Sequence, residues 1–157
     1  MAVALNEENL KRAINERFKK LQKATDGRVV RIGIKEGKTN KGVEIATYAR
    51  ENEFGVFSKG IPSRPFLRTT FKGEKANDMG KRAFKALQEA VLQNYDAEIA
   101  LQEIADQGAI MVRKNIREGQ WVPNKPSTLS RKRGSKPLID SGEMIKSVEG
   151  WVVKDGK

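Results

Sequence analysis

Apolar residues recur early in the chain at spacings of four, four and three: Leu10, Ile14, Phe18 and Leu21. This spacing puts them on one face of a helix predicted over 6–23. Asn6 is suited to cap it, and Glu7 and Glu8 set negative charge at the positive end of the helix dipole. Thr25-Asp26-Gly27 stops it, and Lys11, Arg12, Lys19, Lys20 and Lys23 read as its solvated face. The period then changes. Val29, Val30, Ile32 and Ile34 are β-branched and weakly alternating, which predicts a strand over 28–34. The polar, glycine-containing stretch 35–42 is a turn and is not read as a phosphate-binding loop.

Apolar positions Val43, Ala46, Tyr48, Ala49 and Phe54 predict a short helix over 43–54, with a strand over 43–46 as the alternative. Gly55 follows as a left-handed cap. Pro62 and Pro65 bracket Ser63-Arg64 and hold it extended, because proline restricts the residue before it. Pro65 also suits the opening of the next helix. Phe54, Phe57, Phe66 and Phe71 all fall within this segment, so large apolar area is concentrated there. The expected product is a stiff elbow between two helices, which by itself is compatible with an ordinary core corner.

Beyond the elbow, 66–94 is the longest periodic run, with Met79, Ala83, Leu87 and Val91 every four residues and Phe84 and Ala90 beside them. Gly73 and Gly80 lower helix propensity there without requiring a break. Asn94-Tyr95-Asp96 punctuates it, with Asp96 capping a second helix over 97–117 striped by Ala97, Leu101, Ile104, Gly108 and Val112. Residues 86–112 hold five acids and no basic residue, whereas 124–137 hold Lys125, Arg131, Lys132, Arg133 and Lys136 and no acid. The basic stretch is rich in turn formers and reads as a loop, mobile until bound, within 119–140. Ser127 is suited to cap one turn over 128–133, and Asp140-Ser-Gly-Glu143 resembles a capping box opening a helix through Lys146. Val148, Trp151, Val152 and Val153 predict a closing strand over 147–153 that pairs with 28–34. The fold class expected is α+β: one domain over 1–157, a small antiparallel sheet covered by the helices 6–23, 66–94 and 97–117.

Charge and chemistry narrow the function. The net charge of +11 favours polyanionic partners: nucleic acid, an acidic protein surface or a membrane face. The absence of cysteine excludes disulfides and thiolate metal sites, and the absence of histidine removes the commonest acid/base and metal ligand. No apolar run approaches membrane-spanning length, and the first residues lack the basic region of a secretion leader. The chain is therefore expected to stay where it is made unless it leaves within a particle. No nucleophile-elbow, kinase or paired-carboxylate constellation is present, so no catalytic residue, metal or cofactor is expected.

Two separated motifs carry a resemblance. Tyr48-Ala49 with Glu53-Phe54-Gly55, then Ile61-Pro62-x-Arg64-Pro65-Phe66-Leu67-Arg68, resemble the tail-completion and virion-morphogenesis (neck) proteins of long-tailed bacteriophages. Trp121-x-Pro123, Ser127-Thr128-Leu129 and Pro137-Leu138-Ile139-Asp140-Ser141-Gly142 resemble the end of the same proteins. Val56 departs from the small or hydroxyl residue usual after the glycine. The resemblance spans 48–153, about two thirds of the chain. It implies a non-enzymatic virion component at the head–tail junction, assembled in the host cytoplasm as a ring of copies. Its partners would be neighbouring neck and tail proteins (tail terminator, connector or stopper), with transient contact to DNA in the channel and none to membrane.

On that reading Phe57, Arg64, Arg68, Trp121, Arg131 and Arg133 are the expected subunit-contact residues. Arg64 and Arg68, four apart, would share a face and grip carboxylates of another copy, unless they pair within the chain with Glu51 or Glu53. The basic stretch stays open between a solvated loop, a dock on the acidic 89–106 face of another copy, and contact with DNA. The alternative function is a basic, non-specific nucleic-acid-binding protein, in which Trp121 would stack on bases.

Overall fold

The computed structural model describes residues 7–93 and 95–154, without the side chain of Ala24. Asn6, expected to cap the first helix, Asn94 and the opening residues 1–6 lie outside the described residues. Seven helices and four strands follow one another among them. They are α1 (Glu7–Thr25), β1 (Arg28–Ile34), β2 (Thr39–Asn40), β3 (Val43–Glu44), α2 (Ile45–Phe54), α3 (Phe66–Thr70), α4 (Glu74–Gln93), α5 (Ala97–Glu118), α6 (Pro126–Leu129), α7 (Glu143–Lys146) and β4 (Val148–Lys154). The class is α+β, as expected.

β1 and β4 form the expected antiparallel pair, in register from Arg28 opposite Lys154 to Ile34 opposite Val148. One helix covers this ribbon directly. α5 packs along both strands, while α1 and α4 pack on α5. The three-helix cover expected from periodicity is thus one helix with two more stacked beside it. Small residues at the crossing explain the close seat of the ribbon. A Cβ placed on Gly150 would lie 2.0 Å from the Ala105 carbonyl oxygen, and one on Gly108 would lie 2.2 Å from Ile32 Cδ1.

The stretch 43–54 splits. Val43 and Glu44 pair with Asn40 and Thr39, so the helix starts at Ile45. Lys41 (φ 52°) and Gly42 (φ 79°) make the two-residue turn with both residues at positive φ, which matches the twist of a hairpin. Gly37-Lys38-Thr39 leads into this hairpin and not into a helix, so it lacks the setting of a phosphate-binding loop.

The run 66–94 is broken. α3 ends at Thr70, and Gly73 at φ 63° turns the chain before α4 begins at Glu74, whereas Gly80 stays helical. Periodicity cannot detect such a break, because the apolar spacing resumes in phase beyond it. Asp96 caps α5 as expected, its carboxylate accepting from the Glu98 N–H at 2.8 Å. Two other expected caps fail. Pro126, not Ser127, opens α6, with Lys125 before it. Gly142, at φ 83°, precedes α7, and the Asp140 carboxylate accepts from the Arg133 N–H at 3.2 Å instead.

The core lies where α2, α3, the second half of α5, α7 and β4 meet. Ile45, Ala49, Phe66, Val112, Ile116, Met144, Ile145 and Val148 are buried there, ringed by Tyr48, Leu67, Trp121, Leu138 and Ile139. Phe66 is wholly inaccessible, a burial that stabilises by about 3 kcal/mol. The stripe of α1 has no such cover: Leu10, Ile14 and Phe18 remain exposed, Phe18 by 61%.

Candidate functional site: the elbow and the basic cleft

The elbow is a hydrogen-bonded unit. Gly55 ends α2 with φ 77° and ψ 158°, and its N–H reaches the Glu51 carbonyl at 2.8 Å. The positive φ was expected; the extended ψ lies outside the left-handed helical basin. Val56 and Ile61 then bridge antiparallel around a single 3₁₀ turn at Phe57–Lys59. Ser63 donates its hydroxyl to the Glu53 carbonyl at 2.9 Å, and the Arg64 N–H reaches the Asn52 carbonyl at 2.6 Å. The strand after the turn is in this way tied back on α2. Pro65 stands just before α3 and Phe66 is its first residue.

Glu53 decides how α3 begins. Its side chain is 3% exposed as a residue, and its two carboxylate oxygens accept from the Leu67 N–H at 2.8 Å and the Arg68 N–H at 3.1 Å. Arg68 closes the arrangement, with Nε 3.0 Å from the same carboxylate and Nη2 on the Glu53 carbonyl at 2.9 Å. Its guanidinium also lies 5.0 Å from the centre of the exposed Phe54 ring.

Arg64 and Arg68 do not share a face. Arg64 is 5% exposed and turns inward. Its Nε donates to the Val122 carbonyl at 2.9 Å, Nη1 to Asn52 Oδ1 at 2.9 Å, and Nη2 to the Pro123 carbonyl and Asn124 Oδ1 at 3.3 and 3.2 Å. The expected outward contact at Arg64 is therefore replaced by an internal tie between the elbow and 122–124. The physical reason is that four backbone and amide oxygens sit where the guanidinium fork reaches them from inside.

The other expected residues fall in two groups. Phe57 stands fully exposed at the tip of the elbow. Trp121 is half-buried against the core, its Nε1 donating to the Ile116 carbonyl at 3.2 Å. Arg131 and Arg133 are exposed on the basic stretch, Arg131 held by Nε on the Ser127 carbonyl at 2.9 Å. That stretch carries hydrogen bonds of its own: Asn124 Nδ2 donates to the Ser135 carbonyl and Lys132 Nζ to the Lys136 carbonyl. Leu138, at φ 64°, then directs the chain from the core into the Asp140 to Gly142 turn.

These pieces enclose a cleft of about 630 Å³. The hairpin turn, the elbow, the 124–132 stretch and the 138–144 turn form its walls. Six cations line it (Lys41, Lys59, Arg64, Lys125, Arg131 and Lys132) against two carboxylates, Asp140 and Glu143. Burial holds the Arg64 guanidinium below its ordinary pKa. Lys132 is lowered as well, first by burial and further by the Arg64 charge, against the pull of Asp140. Lys41 and Lys59 are the cleft cations that sequence reasoning did not name, and Lys125 and Lys132 were named only as part of the basic stretch. The basic run was visible, but nothing local tells that the 40–43 turn arrives opposite it.

Part of the acidic 89–106 stretch is paired within the chain: Glu98 on α5 with Arg28 at 2.8 Å, and Glu89 on α4 with Lys85 at 3.8 Å. Among the described residues no three acidic side chains gather to hold a metal ion, and no helix is long and apolar enough to cross a membrane. Comparison with protein-family models, with curated proteins and with solved structures finds no significant match to this chain.

Proposed function

We propose that this chain is a non-enzymatic structural component of a long-tailed bacteriophage virion, one copy of a neck ring that completes the tail and supports its joining to the head. The observation that carries the reading is the convergence of the two motifs behind the resemblance. Arg64 of the first grips the carbonyls of Val122 and Pro123 beside the second, and Phe66 and Leu138 meet in one core. The motifs act as a single framework whose tip, Phe57, faces solvent. Exposed Phe57 and the uncovered stripe of α1 are apolar surface that another copy would bury on assembly. The partners on this reading are copies of the chain and the adjoining terminator, connector or stopper proteins.

Electron microscopy of lysates from a phage carrying an early stop codon in this gene tests it. Filled heads beside detached tails are the expected result, and joined, intact particles overturn it. The basic cleft favours a second reading, a non-specific nucleic-acid-binding protein. Duplex binding that falls steeply between low and moderate salt, at a stoichiometry unrelated to any ring, is its signature.

A further inference from the structure

A buried cation ordinarily has an anion beside it, because removing charge from water is costly unless the charge is matched. Arg64 breaks that pattern. All four of its acceptors are neutral oxygens, two carbonyls and two side-chain amides. A guanidinium carries five N–H groups, so one on Nη1 is left without an acceptor among the described residues. The group is 5% exposed and lines the cleft.

The rest of the lining repeats the imbalance. Both carboxylates of the cleft already serve other groups: Asp140 accepts from the Arg133 N–H and Glu143 from Lys146 Nζ at 3.0 Å. Among the cations, Lys59 is matched by Glu51. Lys41 and Lys125 have no hydrogen-bond or ion-pair partner among the described residues, and Arg131 commits only its Nε. Lys125 Nζ lies over the Gly60 backbone, where a Cβ would stand 2.4 Å from it. Two neighbouring cations, Arg64 and Lys132, are each disfavoured in their charged forms by burial. An entering anion relieves all of these terms together.

We propose that the cleft is a phosphate-binding site, with Arg64 as its cationic floor and Lys41, Lys125 and Arg131 closing on the anion from the rim. The arrangement favours phosphate over a carboxylate. A carboxylate is planar and is matched by a single fork, whereas here four cationic donors come from three chain segments around a space large enough for a tetrahedral group and what is attached to it. The phosphate can belong to a nucleic-acid backbone or be a free ion. The inference rests on the cleft and stands apart from the neck reading.

The test uses the full chain, a short fluorescein-labelled DNA duplex read by anisotropy, inorganic phosphate as competitor, and the variants Lys125→Ala and Arg131→Ala. Each substitution is expected to weaken duplex binding about three- to tenfold and to lower the slope of log K against log salt by about one, the signature of one lost phosphate contact. Lys19→Ala and Lys81→Ala, exposed on α1 and α4, are expected to leave both unchanged. Arg64→Lys is the floor variant, and the rim variants keep the test valid if it fails to fold. If phosphate binds through the cleft while duplex binding ignores Lys125 and Arg131, the source is the free ion. The proposal is overturned if the rim variants lose no more than the Lys19 and Lys81 controls for either ligand. It is equally overturned if only an oligoglutamate peptide occupies the cleft.

Discussion

Glu53 and Arg68 form a paired cap at the start of α3. One carboxylate oxygen takes both the backbone N–H and the Nε of Arg68, at 3.1 and 3.0 Å, while the other takes the Leu67 N–H. α3 is preceded by proline, whose side chain has no cap to offer, so a residue of the preceding helix supplies it. Glu53→Ala leaves the Leu67 and Arg68 N–H groups without their acceptor and is expected to cost about 3 kcal/mol. Arg68→Ala, at a side chain 56% exposed, is expected to cost less than about 1 kcal/mol. Urea midpoints measure both, and equal losses would mean that the ion pair, not the cap, holds the helix.

Gly55 and Gly73 both have positive φ, yet their replacements should differ. A Cβ on Gly55 meets the Ser63 backbone nitrogen at 2.8 Å, and nothing lies within 4 Å of one on Gly73. Gly73→Ala carries the backbone strain alone, about 1 kcal/mol. Gly55→Ala adds a clash with backbone that cannot step aside, about 3 kcal/mol in all. Thermal unfolding of the two variants side by side checks the ordering.

The Glu44 carboxylate gives a pH signature. The Gly37 N–H, at 3.1 Å, and then the Thr47 hydroxyl, at 2.8 Å, hold its pKa below the ordinary value. A carboxylate lowered by folding stabilises the fold above its unfolded pKa, and that contribution disappears as pH falls through the folded one. Thr47→Val should move the Glu44 pKa upward and narrow this acid window. An NMR titration of the side-chain carboxyl reads it directly, and an unmoved value would remove the hydroxyl from the account.

Phe57 separates folding from assembly. Its ring touches solvent on every side, so Phe57→Ser should change stability by no more than about 0.5 kcal/mol. On the neck reading the same variant lowers ring formation, as does Phe18→Ser on α1. Native mass spectrometry of each purified variant measures the populations. Rings that persist in both would place the subunit contacts elsewhere on the surface.

Local pattern carried the elements whose period is their own property. α1, β1, α5 and β4 are each announced by spacing or β-branching within a few residues, and the pairing of β1 with β4 follows from the need of a strand for a partner. The elbow was legible for the same reason, since glycine and proline restrict φ and ψ wherever they stand. Tertiary structure alone decided where the polar groups point. The oxygens that hold Arg64 lie up to 60 residues along the chain, and no local rule foretells which carbonyls will face inward after folding. The break between α3 and α4 belongs there too: Gly73 and Gly80 have equal propensity, and only the packing of α3 into the core selects the first as a turn. The basic cleft is likewise a product of assembly. Its charges were countable in sequence, but the wall at Lys41 arrives through a hairpin whose direction is set by the sheet and core it rests on.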